Sequence, residues 1–472
     1  MSRGRTWLLL ACAAVATIAS AQAPRLAELE LGFRGESVAD AWNPLRLTLR
    51  DVGAGRLTLV VDQGSLREGE VPWTVIVPLD GGAGVRVWEG DVYLPAWRSL
   101  RWSVDAGGAV VASGALPREA ADRRRVDLVV SARAGAVAER LPGRVVDVGA
   151  AALPSRTAAY DGVRSIWVDG SAGIPSGAAL AAAAAAGVVV VAVDAAGAAL
   201  AADPGWTPVA AGGWWVLEDP VALAGMAFGL GPTAGALEAA RVDLTALTSA
   251  FAVAGGVVPP ATPPVTTVVA VAAAYVVLVF VAWRVGGAPG LLTWVVLLTG
   301  ASGAAWQAAR RSDARITEVR ALQVGAGGLA WRTEVHDVFT LPGGRVEVAR
   351  SARPIAATAG TQTLGHVPST TLHLPRWRGT SLAEAPRAAP AMLVWGADGL
   401  PRVEGGRPLT SVRLVGGGAW AVLDPGAVPG AATDPPPLVG PEAAFEALLP
   451  WGSVWARDAS DWHVALPAEV RW

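Results

Sequence analysis

The stretch DGSAG, Asp169 to Gly173, is the nearest this chain comes to a serine nucleophile elbow. Such an elbow reads G-x-S-x-G, because its glycines let a strand turn sharply into a helix and lift the hydroxyl clear of the sheet. Here the first glycine is out of register, and a plain turn is the better reading of Ser171. Asp161, Asp169 and Asp194 fall near the ends of predicted parallel strands, where α/β folds place ligands. Carboxylates there either line a small cleft or cap helices and turns, and capping is the expectation. A thiol-type acyl transferase needs a Cys nucleophile and a His base. Between Val126 and Ala250 the chain has neither.

The four histidines, His336, His366, His373 and His463, all lie in the C-terminal segment. None is spaced i, i+4, and only His336-Asp337 sets a carboxylate beside a ring, so no zinc site is expected. GLGPTAG (Gly229–Gly235) has Pro232 in its middle, and VGAGG (Val324–Gly328) joins two β segments. Neither has the strand-then-helix context of a phosphate loop, and no cofactor is expected. Arg284 interrupts a long apolar run and reads as a topological anchor. Lysine is absent, so all 38 basic residues are arginine, which fits a coding bias better than arginine-specific recognition.

These residues need elements to hold them. The 472 residues suffice for about three domains. Hydrophobic residues make up 52% and mean hydropathy is +0.41, while a net charge of −2 gives no field to recruit nucleic acid. Residues 1–21 have the basic start (Arg3, Arg5), apolar stretch and small-residue exit of a secretory signal. The only cysteine, Cys12, has too few apolar residues before it for lipid attachment, so the mature chain is expected to carry no thiol. From 22 to 120, runs such as LRLTLRDV, WTVIVPL and LRWSVD alternate at short intervals, predicting an antiparallel β-sandwich. From 121 to 257, continuous apolar runs alternate with helical stretches, among them GAALAAAAAA after the N-cap Ser176. That pattern predicts an α/β unit on a parallel sheet. VPPATPPV (Val258–Val265) reads as a stiff spacer.

Val265–Ala309 as one helix would run about 68 Å, against a bilayer core of about 30 Å. The Gly/Pro cluster Gly286–Gly290 therefore predicts a hairpin of two transmembrane helices, 265–283 and 289–309, with the bilayer as integral partner. A signal at 1–21 would leave both flanking regions extracytoplasmic in a bacterial cell membrane, although Arg310, Arg311 and Arg315 pull the other way. From 312 to 472, alternation returns and predicts a second β-rich domain with one short helix at PEAAFEALLPW.

This order of parts resembles a group of uncharacterised bacterial envelope membrane proteins that combine a β-sandwich, a degenerate class I glutamine-amidotransferase-like domain and two membrane helices. AWNPLRLTL (Ala41–Leu49) is similar to their W-x-P-V strand entry, and ALPSRTAAYDGVRSIWVDG (Ala152–Gly170) to their L-P-x5-Y-D-x-x-D lead-in. Tyr160 and Asp161 match, whereas Arg164 stands where an acid is usual. The resemblance implies a multidomain α and β membrane protein. With Cys and His missing, its α/β domain would be catalytically inactive, with no catalytic, cofactor or metal residues. The expected function is non-catalytic binding of an envelope protein or polymer. The alternatives are an extracytoplasmic hydrolase using Asp and Ser residues, and an accessory subunit of a transport complex.

Overall fold

The computed structural model describes most of residues 25–467, apart from 63–71, 117–124, 136–140, 194–213, 218–241, 256–272, 301–314 and shorter gaps of one to four residues. The expected signal at 1–21, Cys12, the Val258–Val265 spacer, Asp194, His366 and the GLGPTAG loop lie outside the described residues.

Two-residue alternation builds the N-terminal sandwich. In Trp73–Leu79, every second side chain, Trp73, Val75, Val77 and Leu79, points inward, as a half-buried strand requires. Arg25–Leu31, Ala41–Val52 and Gly82–Leu94 form one antiparallel sheet. It faces a seven-stranded sheet in which Trp73–Leu79, Gly55–Asp62, Ser99–Ala106 and Ala109–Leu116 are joined by three strands from far along the chain, Gly344–Val348, Gly360–Thr363 and Ser369–Leu374. The seam is a parallel pairing of Thr361–Thr363 with Thr74–Ile76. Buried Gln362 accepts a hydrogen bond from the Tyr93 backbone N–H (3.2 Å), so one core holds residues of both the 22–120 and 312–472 segments.

The middle unit is a five-stranded parallel sheet. Val126–Val130 is buried along its whole length, which is why its sequence is an apolar run rather than an alternation. Counting strands along the chain, the order is 2-1-3-4-5, a doubly wound arrangement whose switch point lies between Val126–Val130 and Val163–Val168. Ser176 caps the helix Gly177–Ala185 by accepting from the Ala179 N–H (3.2 Å).

The third unit is a nine-stranded, mainly antiparallel sheet built on the long hairpin Arg315–Ala326/Leu329–Thr340. The helix Leu244–Gly255 lies on it. Its buried residues, Leu244, Leu247, Thr248, Phe251 and Ala252, follow i, i+3, i+4, i+7, i+8, a single stripe. Phe251 and Phe445, from the short helix Pro441–Glu446, pack edge-on against Trp462 with ring centroids 5.3 and 4.6 Å apart. At the helix C-terminus the buried Arg320 guanidinium donates to the carbonyls of Phe251 and Ala252 (3.1 and 3.0 Å) and pairs with buried Asp337 (2.8 Å). The cation meets the negative end of the helix dipole. Gly255 makes the approach possible, since a Cβ there would lie 1.4 Å from Arg320 Nη1.

The described residues are thus mostly β, 51% strand against 19% helix, which corrects the expected multidomain α and β membrane architecture. Among the described residues no helix is long and apolar enough to cross a membrane. Residues 265–272 of the expected first span and 301–309 of the second lie outside the described residues, and the described helical residues between them supply no crossing helix. The Gly286–Gly290 segment that was to form the hairpin turn is helical, with Thr293 donating to the Pro289 carbonyl one turn back (2.9 Å). Arg284 falls inside that helical run and marks no turn. The two-helix transmembrane hairpin is therefore absent from the described structure, and the resemblance to envelope membrane proteins that rested on it falls. So do the bilayer as integral partner and the cell-membrane location with extracytoplasmic domains.

Arg320 and Asp337 give the fold its sharpest test. Asp337→Ala leaves a buried guanidinium without its counter-ion and should cost about 3–5 kcal/mol in denaturant unfolding, whereas the double change Arg320→Met/Asp337→Leu should recover much of that.

Candidate functional site

In a doubly wound sheet the ligand crevice opens beyond the carboxyl ends of the strands at the switch point. Here those ends are Val130 and Val168, so Ser131 and Asp169 are the first residues past them. They face each other and bond: Ser131 Oγ donates to Asp169 (2.5 Å), and Ser171 donates to the same carboxylate through both its Oγ (2.6 Å) and its N–H (2.8 Å). Ser171 Oγ also accepts from the Ala132 N–H (2.8 Å). The two loops that would form the lips of the crevice are thereby tied together. Burial alone would raise the Asp169 carboxyl, but the hydrogen bonds from Ser131 and Ser171, with Arg133 nearby, outweigh it and hold it below the ordinary carboxylate range. A carboxylate held this acidic is a weak proton acceptor, and no histidine or lysine stands beside either serine. Ser131 was not singled out in the sequence. Its only signal was its place one residue beyond the first strand of the parallel sheet.

Asp161 lies elsewhere. It precedes Val163–Val168, at the opposite end of that strand from the crevice. Its carboxylate accepts from the Trp42 backbone N–H (3.0 Å) and from Thr245 Oγ1 (2.6 Å), tying the sandwich and the Leu244–Gly255 helix to the middle unit. Tyr160 is buried and donates to the Pro154 carbonyl (2.7 Å). Arg164, set where an acid is usual in the similar lead-in, pairs with Asp127, which is 1% exposed and also accepts from Ser165 Oγ (2.6 Å).

Strand alternation separates His336 from Asp337. Asp337 faces Arg320 and the helix, while the His336 ring turns to the other face and meets Glu384 (Nε2–Oε1 2.7 Å). Glu334, His336 and Glu384 bring ligand atoms within 4.8 Å of one another, a geometry that could hold a metal ion. Their charges argue otherwise. Arg387 and Arg332 (3.7 Å) pair with Glu334, and Arg350 with Glu384 (3.3 Å), so both carboxylates are already neutralised by guanidinium. A divalent ion would have to displace those arginines. Of the other described histidines, buried His463 meets Gln323 (3.0 Å) and has its pKa lowered by burial, and His373 is lowered by burial and by Arg345.

A cleft of about 490 Å³ opens between the three-stranded sheet and the Val148–Arg156 loop of the middle unit. Glu30, Arg34, Arg46, Glu89 and Arg156 supply its charged lining. Arg156 is fixed in place, with Nε 3.1 and 3.0 Å from the two Asp91 oxygens. Arg34 sits with Gly35 at the tip of a tight turn between Phe33 and Glu36, at φ 51° and 83° respectively. Two successive left-handed residues suit Asn-Gly; an arginine in the first position costs about 1–2 kcal/mol.

No family model matches this chain, and no curated protein matches it. Among solved structures it is similar to a Paenibacillus sp. cycloisomaltooligosaccharide glucanotransferase complexed with cycloisomaltoheptaose, at 13% identity and a TM-score of 0.17. That match covers 36% of this chain and 27% of the other, and a likeness so low supports neither fold nor activity.

Two outcomes follow from this geometry. A carboxyl whose folded pKa is depressed stabilises the fold above its unfolded pKa and loses that contribution as pH falls through the folded value. Stability between pH 5 and pH 2 should therefore fall less steeply in Asp169→Asn than in the parent, as read by urea midpoints. Titration with zinc or with EDTA should leave the thermal midpoint unchanged, because the Glu334/His336/Glu384 cluster is closed by arginine.

Proposed function

We propose that this chain is a non-catalytic binding protein for a protein or polymer partner, with its α/β unit serving as a rigid bridge between two β-rich units. The observation that carries the reading is the tie between Ser131, Asp169 and Ser171. At the switch point, the place where a sheet of this order takes a substrate, it spends these three polar side chains on one another. The lack of Cys and His from Val126 to Ala250 supports it, since no thiol nucleophile or imidazole base can be built there. Asp161, a second acid that a hydrolase might have used, is occupied in joining units.

A serine hydrolase built on the Ser131–Asp169 contact is the competing reading. It needs Asp169 as a base, and the hydrogen bonds that build the contact lower that carboxyl's pKa, the direction opposite to the one a general base requires.

The purified full chain, given glutamine and generic ester substrates, should show no turnover above buffer. Turnover that disappears in Asp169→Asn or Ser171→Ala would overturn the binding reading and establish the hydrolase.

A further inference from the structure

We propose that the cleft between the three-stranded sheet and the Val148–Arg156 loop binds a small ligand carrying a carboxylate or phosphate, its oxyanion taken by Arg34 and Arg46 beside the fixed Arg156. This rests on the non-catalytic reading and adds to it a small-molecule site. A cleft of about 490 Å³ lies within the range of small-molecule sites, and a seam between units is where such sites concentrate.

The charges in the cleft are unequally occupied. Glu30 is used by the Arg34 backbone N–H (2.7 Å). Glu89 stands between two arginines, 3.6 Å from Arg46 and 3.7 Å from Arg156. The guanidiniums are less well served. Arg34 reaches only Asp147, at 3.8 Å, with 61% of its side chain exposed, and Arg46 reaches Glu89 alone, with 49% exposed. Both contacts are longer than the 2.7–2.9 Å of a charge-assisted hydrogen bond. An incoming carboxylate or phosphate can make the short, two-pronged contact that Asp147 and Glu89 do not. Arg156 differs, because its Nε is spent on Asp91 and its Nη2 on the Gly90 carbonyl (3.3 Å); it frames the site from below.

Backbone strain agrees with this assignment. Arg34 occupies a left-handed position where glycine or asparagine would be relaxed. Nothing in the packing requires arginine there, since its side chain is mostly exposed and its one ion pair is long. Strained residues that the surrounding fold does not explain concentrate at ligand sites. The turn places Arg34 in the lining of the cleft, and the turn's far side is held by Arg144 bonding to Glu36 and the Ser37 carbonyl.

The test uses the full chain and three probes, glucuronate, glucose 6-phosphate and neutral glucose, followed by calorimetry at low and high salt. At least one anionic probe should bind and glucose should not; which of the two binds more tightly distinguishes a carboxylate from a phosphate source. Binding should weaken with salt. Arg46→Ala and Arg34→Gly should each weaken it about tenfold or more, the cost of one hydrogen bond to a charged group. Arg34→Gly also separates binding from folding, because glycine relaxes φ 51° and the variant should melt no lower than the parent. Binding of glucose as tight as that of the anions, binding unchanged in both variants, or no binding of any probe would each overturn the proposal. None of these results touches the absence of turnover on which the binding reading stands, and turnover abolished by Asp169→Asn would overturn that reading whether or not anions bind.

Discussion

One carboxylate joins the molecule. Asp161 takes the Trp42 N–H with one oxygen and the Thr245 hydroxyl with the other, so the sandwich, the parallel sheet and the helix on the C-terminal sheet meet at a single side chain. The fourth party is Arg353, which donates to the Thr245 carbonyl (3.1 Å) and lies over the Tyr93 ring, 6.0 Å from its centroid. Burial pushes the Tyr93 phenol up to about 12, so it stays neutral there. The residual space at this junction is about 10 Å³, enough for at most one water. A carboxylate held by two donors in so tight a setting fixes geometry and has no room for a substrate.

The same economy governs the rest of the frame. Strands Gly344–Val348, Gly360–Thr363 and Ser369–Leu374 leave their own sequence neighbours to complete the sheet begun by Gly55–Ala106. Neither the 22–120 nor the 312–472 segment therefore closes its core alone. The Leu244–Gly255 helix then reaches across, pinned at its start through Thr245 and at its end by Arg320. Buried charges are rarely a net source of stability, but they penalise every arrangement in which they are unpaired. Asp337 and Arg320 act in that way, and the half-buried Asp161 adds directional hydrogen bonds between units.

Local pattern was legible in the sequence and long-range pairing was not. Alternation located Trp73–Leu79 and Ser99–Ala106, and the uniform apolar run located Val126–Val130, because side-chain period reports directly on how many faces are buried. Ser176 was readable as a cap for the same local reason. The shared sheet was invisible, since nothing in GTQT at Gly360–Thr363 states that its partner lies almost three hundred residues earlier. The apolar content of Val265–Ala309 misled for a related reason: it counts side chains and says nothing about how the backbone between them runs, and Gly286–Gly290 is helical where glycine and proline suggested a turn. At the candidate site, Ser171 and Asp169 were named, but their partner Ser131 carries no motif. His336-Asp337 was read as a pair although adjacent strand residues point to opposite faces.

What distinguishes the crevice at the switch point from the cleft beside Arg156 is where hydrogen-bonding capacity remains. At the crevice, Asp169 receives three donors from Ser131 and Ser171, and Ser171 Oγ is itself both donor and acceptor, so a ligand arriving there would have to break bonds before making any. Around the cleft the short contact is Arg156 with Asp91 (3.0 Å), whereas Glu89 is 3.6 Å from Arg46 and 3.7 Å from Arg156, and Arg34 is 3.8 Å from Asp147. Burial raises the Asp91 carboxyl while Arg156 pulls it back, a partnership that fixes Arg156. A fixed arginine beside loosely paired ones is an arrangement in which the loose groups can exchange a poor partner for a better one without moving the fixed one.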